Sequence, residues 1–364
     1  MMYTLTSLSD LHTAGFDAII DARSPAEFAE DRLPGAISLP VLGNDERAAV
    51  GTMYVQESRF GARKMGAALV LRNVAAHIDG PLADKPGGWR PLVYCWRGGQ
   101  RSGTFGWLLR EIGWRAETLQ GGYQSYRRLV VKALYDVPVA HPIVVLAGMT
   151  CTAKTALLHR LSAAGGQVLD LEGLAKHRGS IFGAQAERQP DQKAFESDIA
   201  MALAGFDPAR PVVVEAESSK VGDLIVPPSL WKVMCDAPRV VVSAPLAARA
   251  AFFPSAYPDL VADPAKFSAL IYRLRRLHGA AQVDAWQAQV AEGDFEGVAA
   301  GLIATHYDPR YAKSQARFSA NVVAEHAFDR LDPQSLDQGV SALMDTLHRA
   351  VERPLADTGV GEIS

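Results

Sequence analysis

Twice along this chain, a short apolar run leads into a loop that contains glycine, and the loop leads into a helical segment. The first loop, residues 95–102, follows the apolar residues 91–94. The second loop, residues 148–155, follows the apolar residues 143–147. A buried strand that feeds a helix through a tight loop is the repeating unit of a parallel sheet. The pattern therefore predicts an α/β fold with helices on both faces of the sheet.

The first part of the chain alternates between predicted strands and helices. Ser24 and Pro25 predict a helix start, because serine caps the free N–H groups and proline suits the first helical position. Short strands are predicted within residues 16–21, 33–37, 92–94 and 119–123, the last ending in a glycine turn. We expect a first domain over residues 1–135.

The second part of the chain repeats the strand and helix pattern and then becomes helical. Strands are predicted over residues 143–147, 167–171 and 211–215, with a helix over 156–161. The region 267–350 is predicted to be mainly helical. We expect a second α/β domain over residues 136–350 with a helical C-terminal part, a boundary near 134–142, and a loose tail over 351–364.

The charge and the cysteine content restrict the classes of function. Because the net charge is −3, RNA contacts would depend on local basic patches rather than on a global field. No uncharged apolar run approaches the roughly 20 residues that span a bilayer, and the N-terminus lacks a secretory pattern. Three scattered cysteines do not predict a disulfide framework or a zinc site. We expect a cytoplasmic protein with no membrane contact, no metal-ligand set and no prosthetic group. The candidate RNA-binding residues are Arg127, Arg128, Arg273, Arg275 and Arg276, and a solvated helix face is the alternative interpretation of such runs.

Cys95 stands at the end of a predicted buried strand and is followed by two arginines. A glycine loop above a helix N-terminus can surround an anion and favours the thiolate form of a cysteine. Cys95 and Arg101, with five residues between them, suit either chalcogen transfer by a sulfurtransferase or phosphate-ester hydrolysis through a phosphocysteine. Arg97 and Arg101 would bind the oxyanion in either reaction. The other predicted cradle residues are Gly98, Gly99, Gln100 and Ser102.

The second loop resembles a phosphate-binding P-loop whose last glycine is replaced by alanine. Lys154 would reach across the phosphates, and Thr155 keeps the hydroxyl position. Cys151 and Ala153 depart from the pattern, because glycine normally permits the tight turns of such a loop. The pattern predicts a diphosphate or nucleotide site, with a degenerate structural turn as the alternative. The predicted phosphate-binding residues are Gly148, Thr150, Thr152, Ala153, Lys154 and Thr155.

Carboxylates follow two of the predicted strands in the second domain. Asp170 and Glu172 follow the strand at 167–171, and Glu215 and Glu217 follow the strand at 211–215. Either pair could hold Mg²⁺ or orient a substrate. Either pair could instead cap a helix or form an ion pair.

Longer motifs in both domains resemble the tRNA 2-selenouridine synthase family. Residues 21–28 and 34–37 are similar to the opening of a rhodanese domain. More particular are residues 44–54, the Cys95 loop, 121–123, the P-loop, 171–180, 189–196, 215–218 and 306–311. The resemblance covers most of the chain in the expected order, and a rhodanese unit ahead of a P-loop unit is itself specific.

The resemblance implies a rhodanese-like domain followed by a P-loop NTPase-like domain. It implies an enzyme that converts wobble 2-thiouridine in tRNA to 2-selenouridine through an S-geranyl intermediate, with geranyl diphosphate and selenophosphate as substrates. Cys95 would then handle selenium, with Arg97 and Arg101 on the phosphate of selenophosphate, while Lys154 and Thr155 would hold the diphosphate. The partners would be the thiolated tRNA and a supplier of selenophosphate. The implied supporting residues of the P-loop pocket are Asp170, Glu172, His177, Arg178, Glu215, Glu217 and Ser218.

Two other functions remain open at this point. One is a rhodanese-type sulfurtransferase or a cysteine phosphatase fused to a P-loop kinase, which would act without tRNA. The other is a non-catalytic RNA-binding protein with an inactive P-loop, in which Cys95 would be dispensable.

Overall fold

The computed structural model describes residues 1–352, which form two compact units. The first unit comprises Met1–Pro138 together with Pro190–Gly205. The second comprises Val139–Gln189 and the chain from Phe206 onward. The segment Pro190–Gly205, which the sequence analysis places in the second domain, therefore packs with the first. The predicted tail at 351–364 lies outside the described residues from position 353 on.

A five-stranded parallel sheet forms the core of the first unit, which confirms the predicted sheet. Its order is β1-β5-β4-β2-β3. β4 is buried along its whole length, as expected for a strand covered on both faces. Its carboxyl end leads directly into Cys95. The strands are β1 (Met2–Tyr3), β2 (Ala18–Asp21), β3 (Ala36–Ser38), β4 (Pro91–Tyr94) and β5 (Glu117–Leu119).

A second five-stranded parallel sheet forms the core of the second unit, in the order β12-β11-β6-β8-β7. β9 and β10 form a separate antiparallel hairpin. The sequence analysis predicts β6, β7 and β8 but neither β11 nor β12. The strands are β6 (Ile143–Gly148), β7 (Gln167–Leu169), β8 (Val212–Glu215), β9 (Lys220–Val221), β10 (Leu224–Ile225), β11 (Arg239–Ser243) and β12 (Val322–Ala327).

Helices surround both sheets. In chain order they are α1 (Asp10–Thr13), α2 (Pro25–Glu30), α3 (Asn44–Gln56), α4 (Arg59–Asp79), α5 (Gln100–Ile112), α6 (Gly122–Val131), α7 (Lys154–Ala163), α8 (Leu171–Ala175), α9 (Gln192–Gly205), α10 (Pro228–Asp236), α11 (Leu246–Ala256), α12 (Pro258–Ala262), α13 (Pro264–Tyr272), α14 (Arg275–His278), α15 (Ala280–Glu292), α16 (Phe295–Leu302), α17 (Asp308–Gln315) and α18 (Pro333–Glu352). Two π-helical turns, Lys132–Asp136 and Ile303–Tyr307, and a 3₁₀ segment, Ala316–Asn321, complete the helical content. No helix within residues 1–352 is long and apolar enough to cross a membrane.

The start of α2 confirms the predicted helix cap. The backbone N–H and the hydroxyl of Ser24 both donate to the Glu27 carboxylate, at 3.1 and 3.0 Å. Pro25 occupies the first helical position. This arrangement fixes Glu27 close to the Cys95 loop, where it has a second role described below.

α9 joins the first unit through buried polar contacts. The Ser197 hydroxyl donates to Asp31 at 2.8 Å, and Glu196 pairs with Arg127 and accepts a 2.7 Å hydrogen bond from Tyr135. Breaking such a buried pair leaves an uncompensated charge, which costs several kcal/mol. α9 is therefore an integral part of the first unit.

The C-terminal part of the second unit is mainly helical, as predicted, with one exception. α11 to α16 enclose their own apolar core around Phe253, Phe267 and Trp286. α18 instead packs its leucines on the core of the sheet. The prediction of helix is wrong at residues 322–327, because these form β12, which pairs in parallel with β11 at the sheet edge.

Candidate active sites

The first unit places Cys95 in a tight loop between β4 and α5. Its side chain is buried, and the Ser102 hydroxyl donates a hydrogen bond to the Cys95 Sγ at 3.1 Å. α5 begins at Gln100, so the N–H groups of its first turn lack partners inside the helix. A hydroxyl donor and a helix N-terminus both favour negative charge nearby. The geometry therefore agrees with a nucleophile at an anion-binding loop.

The glycine turn after β5 supports the Cys95 loop by close backbone contact. A Cβ on Gly122 would collide with the Cys95 carbonyl oxygen, and a Cβ on Gly98 would lie 2.6 Å from the Leu119 carbonyl oxygen. Both glycines have left-handed φ angles, 58° and 69°. The Tyr123 N–H donates to the Cys95 carbonyl oxygen at 2.8 Å. Larger residues at these two positions would therefore push the loop out of place.

A buried polar network connects β2 to the same turn. The Arg23 guanidinium pairs with Asp21 at 2.6 Å and donates to the Asp31 carbonyl oxygen at 2.6 Å. It also lies 4.2 Å from the centre of the Tyr123 ring. The Tyr123 hydroxyl donates to the Asp31 carboxylate at 2.7 Å, and the Tyr94 hydroxyl donates to Asp21 at 2.6 Å. The acidic and basic residues of the rhodanese-like opening thus support the loop rather than line it.

The two arginines of the loop differ in their surroundings. Arg97 is exposed and forms no ion pair within residues 1–352. Arg101 Nη1 lies 2.9 Å from Glu27 Oε2, which also faces Arg47 Nε at 3.2 Å. Burial raises the pKa of Glu27, but the hydrogen bond and charge of Arg101 outweigh burial and hold that pKa below its usual value. An anion would therefore meet Arg97 directly and would have to compete with Glu27 for Arg101. The remaining cradle residues, partly or fully exposed in the same loop, are Gly98, Gly99 and Gln100.

The second unit forms a P-loop-like turn between β6 and α7 despite its missing glycines. Cys151 and Ala153 have left-handed φ angles of 60° and 58°, which costs a non-glycine residue about 1–2 kcal/mol. A Cβ at Gly148 would lie 2.6 Å from the Val242 carbonyl oxygen. Burial raises the pKa of the Cys151 thiol to about 12, so this cysteine is a neutral thiol. The two departures from the pattern therefore strain the turn without removing it.

Lys154 folds back across the loop that precedes it. Its Nζ donates to the carbonyl oxygens of Gly148 and Met149, at 2.7 and 3.1 Å. The Thr152 hydroxyl also donates to the Met149 carbonyl oxygen, at 2.8 Å. A bound phosphate would offer the lysine a charged acceptor in place of two carbonyls, and a charge-assisted hydrogen bond is the stronger interaction.

Residues distant in sequence hold this loop in place. Arg249 is buried on α11, and its guanidinium donates to both Asp308 oxygens, at 2.9 and 2.6 Å. Its Nε donates to the Thr150 carbonyl oxygen at 2.9 Å. The Tyr311 hydroxyl accepts a 2.8 Å hydrogen bond from the Gly148 N–H. Asp308 and Tyr311 belong to a motif that carried the family resemblance, so the structure explains why that motif accompanies a P-loop.

The predicted carboxylates meet beside the loop. The Thr155 hydroxyl donates to Glu172 at 3.1 Å. Asp170 caps α8 by accepting the Gly173 N–H at 2.7 Å, so helix capping is at least part of its role. Glu215 is buried, with one oxygen accepting the Glu172 N–H at 2.6 Å and the other without a hydrogen-bond partner among the described residues.

Burial changes the ionisation of two of these acids. Burial, then the charges of Asp170 and Glu172, raise the pKa of Glu215 well above its usual value. Burial and the neighbouring Glu172 raise the pKa of Glu217 to about 8. Near neutral pH the cluster therefore carries less negative charge than four carboxylates would, which makes an adjacent anion site physically reasonable.

His177, Arg178 and Ser218 lie around the same region but have local partners. His177 Nδ1 accepts a backbone N–H two residues further on, and burial lowers the pKa of its imidazole. Arg178 pairs with Asp259 at 2.7 Å. The Ser218 hydroxyl donates to the Lys220 carbonyl oxygen at 2.6 Å and so holds a turn.

A cavity of about 610 Å³ opens above the P-loop and combines charged and apolar walls. Most of the predicted P-loop residues line it, whereas Gly148, His177 and Glu215 do not. Its basic residues suit a diphosphate, and its aromatic wall suits an apolar group. The lining residues that the sequence analysis did not predict include Phe252, Tyr257, Tyr311, Arg317 and Phe318.

No group of three or more His, Cys, Asp or Glu side chains within residues 1–352 is arranged to hold a metal ion. Two oxygen donors, Thr155 Oγ1 and Glu172 Oε2, lie 3.1 Å apart beside the P-loop. Mg²⁺ is commonly held by one or two protein oxygens together with phosphate oxygens and water. These two residues therefore fit a Mg²⁺ ion that arrives with a diphosphate.

The five arginines predicted to bind RNA divide into paired and free residues. Arg127 is paired with Glu196, and Arg275 with Asp284 at 2.6 Å. Arg128, Arg273 and Arg276 are exposed. The structure therefore leaves fewer free cations at these patches than the sequence suggests.

Diphosphate binding in the second unit is expected to weaken several-fold as the pH rises through about 8. Below this pH Glu217 is neutral, and above it the residue adds a negative charge beside an anion site. Calorimetric titration with inorganic pyrophosphate on both sides of this pH would measure the effect. Glu217→Gln cannot ionise, so it should lack this part of the decline. An identical decline in the variant would contradict the prediction.

Comparison with known proteins identifies relatives of both units. A rhodanese-like domain model matches residues 4–129, and a tRNA 2-selenouridine synthase AAA domain model matches residues 141–266. A tRNA 2-selenouridine synthase of Aeromonas salmonicida is 38% identical over 68% of this chain and 67% of its own length. That of Nitrosomonas europaea is 35% identical over 64% of this chain and 61% of its own length. That of Chromohalobacter salexigens is 38% identical over 63% and 62%. The matched part of the chain thus spans about two thirds or less of these relatives.

Proposed function

We propose that this chain, which belongs to the tRNA 2-selenouridine synthase family, replaces the sulfur of 2-thiouridine at the wobble position of tRNA with selenium. The proposed route has an S-geranyl intermediate, with geranyl diphosphate and selenophosphate as substrates. The observation that carries the proposal is the cavity above the P-loop, where phosphate-binding groups and an aromatic wall occur together.

In the first step, the thiouridine sulfur attacks C1 of geranyl diphosphate. A C–S bond forms, the C1–O bond breaks, diphosphate leaves with the electron pair, and the N3 proton of the base is lost. Lys154 and the N–H groups at the start of α7 would neutralise the departing diphosphate. Mg²⁺, held by Thr155 and Glu172, would supply further positive charge when bound.

An adjoining groove supports an isoprenoid donor rather than a nucleotide. It has a volume of about 460 Å³ and shares Ala156, Phe252 and Ser255 with the main cavity. Its charged residues already have partners. Arg160 pairs with Asp337 at 2.6 Å, and Arg330 pairs with Asp332, which caps α18. A nucleobase requires unpaired donors and acceptors in its site, whereas an alkyl chain requires apolar surface. Alanine, phenylalanine, proline and leucine make up most of the remaining groove wall.

Filling this groove is expected to weaken the binding of geranyl diphosphate but not that of pyrophosphate. Ala251 lines the groove, and Ala251→Trp would occupy the space of the alkyl chain. We expect the Kd of geranyl diphosphate to rise roughly tenfold, equivalent to about 1.4 kcal/mol, while the Kd of pyrophosphate stays unchanged. Ala247→Trp, on the same helix but outside both cavities, is the matched control. If the substitution weakens the binding of both ligands equally, or selectively weakens the binding of ATP, the alkyl chain does not lie in this groove.

In the second step, selenium from selenophosphate adds at C2 of the S-geranyl base, the geranyl thiolate leaves, and water cleaves the Se–P bond to release phosphate. Converting the thiocarbonyl into a thioether makes this substitution feasible, because a thiolate is the better leaving group. We assign this step to the Cys95 loop. Arg97 and the first turn of α5 would bind the phosphate, with Ser102 holding the Cys95 sulfur in position.

One experiment tests the whole proposal. The protein is incubated with thiolated tRNA, geranyl diphosphate and selenophosphate, and the mass of the wobble nucleoside is measured. The expected product is 2-selenouridine, with the S-geranyl nucleoside accumulating when selenophosphate is omitted. An unchanged 2-thiouridine would refute the proposal. Turnover of thiosulfate or an aryl phosphate without any change in tRNA would favour a fused sulfurtransferase or phosphatase instead.

The cytoplasmic location stays a prediction.

A further inference from the structure

The longest helix of the first unit without a fully buried residue is α3. None of the 13 residues of α3 is buried, although residues 44–54 carried part of the family resemblance. At the end of α3 and the start of α4, three large apolar side chains are exposed: Tyr54 by 42%, Val55 by 82% and Phe60 by 77%. A cluster of exposed aromatic and aliphatic groups on a helical hairpin is typical of an interaction surface.

The same region carries unpaired positive charge. Between Glu57 and Arg72 the chain has four basic residues and one acidic residue. Arg59, Arg63 and Lys64 are exposed, and none of them forms an ion pair within residues 1–352. The Arg59 guanidinium lies 5.7 Å from the centre of the Tyr54 ring. The hairpin tip is defined here as Tyr54, Val55, Arg59, Phe60, Arg63 and Lys64. It presents aromatic faces and free cations together, unlike Arg127 and Arg275, which have carboxylate partners.

The base of this hairpin is tied to the Cys95 loop. Arg47, in the first turn of α3, and Arg101, in the loop, share the Glu27 carboxylate at 3.2 and 2.9 Å. From Arg47 to the end of α3 the helix rises roughly 14 Å at about 1.5 Å per residue. A strand of nucleic acid that reaches the Cys95 loop could therefore also reach the tip.

We propose that the hairpin tip binds the unpaired loop of an RNA substrate and so guides one nucleotide toward Cys95. This inference rests on the proposed function and specifies how its RNA is held. Unpaired bases stack on aromatic side chains, and loops are where proteins recognise RNA. Tyr54 and Phe60 supply the stacking surfaces, while Arg59, Arg63 and Lys64 contact phosphates. Charge complementarity favours RNA over a second copy of this chain, which would bring the same cations together.

The test measures the affinity of the full chain for an anticodon stem-loop RNA with 2-thiouridine at the wobble position. Each stacked base is worth about 1–3 kcal/mol, so Tyr54→Ala with Phe60→Ala should raise the Kd at least about fivefold. A second variant combines Arg59→Gln, Arg63→Gln and Lys64→Gln. It should also raise the Kd, and the slope of the logarithm of affinity against the logarithm of salt concentration should fall by about 0.7 per lost phosphate contact. Lys232→Gln with Arg349→Gln, which replaces exposed basic residues that belong to no predicted site, is the matched control and should leave the Kd unchanged. The circular dichroism spectrum and the thermal unfolding midpoint should be unaltered in every variant, which shows that the first unit still folds.

Wild-type affinity for RNA in both tip variants would overturn the inference. So would unchanged RNA affinity combined with lost self-association in sedimentation, or with lost binding to phosphatidylserine vesicles. Failure of the proposed function would look different. Wild-type protein would then leave 2-thiouridine unmodified, whether or not the tip variants alter RNA binding.

Discussion

Replacing Cys95 by serine is expected to stop selenium transfer while S-geranylation continues. The variant replaces a polarisable sulfur, which suits contact with the selenium of selenophosphate, with a smaller and less polarisable hydroxyl oxygen. Loss of a group in direct contact with the reacting atoms should lower the rate of 2-selenouridine formation by at least about a hundredfold. Mass analysis of the wobble nucleoside measures both products, and the S-geranyl nucleoside should accumulate.

Cys235→Ser serves as the control for this experiment. Cys235 is a free cysteine on α10 and lines neither cavity. We expect its replacement to leave both steps unchanged. Selenium transfer at the wild-type rate by the Cys95→Ser protein would remove Cys95 from the mechanism and reopen the interpretation of the first unit as an RNA-binding module.

Replacing Lys154 by alanine is expected to abolish S-geranylation and, with it, every later product. Lys154 is the basic residue that crosses the P-loop, and its two present acceptors are neutral carbonyls. Hydrogen bonds to charged groups contribute about 1.5–3 kcal/mol, so the Kd of geranyl diphosphate should rise roughly 10- to 150-fold. Calorimetry with geranyl diphosphate and with pyrophosphate should show parallel losses, because the lost contact is with the phosphates.

Lys232→Ala is the matched control, since Lys232 is an exposed lysine of the same unit outside both cavities. A Lys154→Ala protein that binds geranyl diphosphate as tightly as the wild type would refute the P-loop as the diphosphate site. If the Lys154→Ala protein still converts a tRNA that already carries the S-geranyl group, then the two steps use separate sites, as proposed.

The sequence allows prediction of the strands that lead into the two loops, because a strand buried on both faces appears as a continuous apolar run. β4 and β6 are of this kind. β11 contains three consecutive valines and carries the same signal, although the sequence analysis does not predict it. β12 mixes polar and apolar residues and lies at the sheet edge after a long helical stretch, so its own sequence indicates little.

The two loops could be predicted, but the partners of their side chains could not. Local spacing places Cys95 and Lys154 at strand ends. The contacts of Arg101 with Glu27 and of Arg249 with Asp308 join residues far apart in the chain and depend on tertiary packing. The same holds for Arg127, a predicted RNA-binding residue whose carboxylate partner, Glu196, comes from α9. Spacing predicts where chemistry can occur, whereas packing decides which charges remain available for it.

The position of α9 affects how the chain can fold during synthesis. Chains emerge from the ribosome N-terminus first, and domains generally fold as units. The buried partners of Asp31 and Arg127 are Ser197 and Glu196. Both partners are synthesised only after the P-loop and α8. The first unit cannot complete its buried network until part of the second has been translated. The first unit therefore finishes folding only after the first part of the second unit has been synthesised. A fragment that ends at Pro138 would lack α9, a helix that belongs to the first unit.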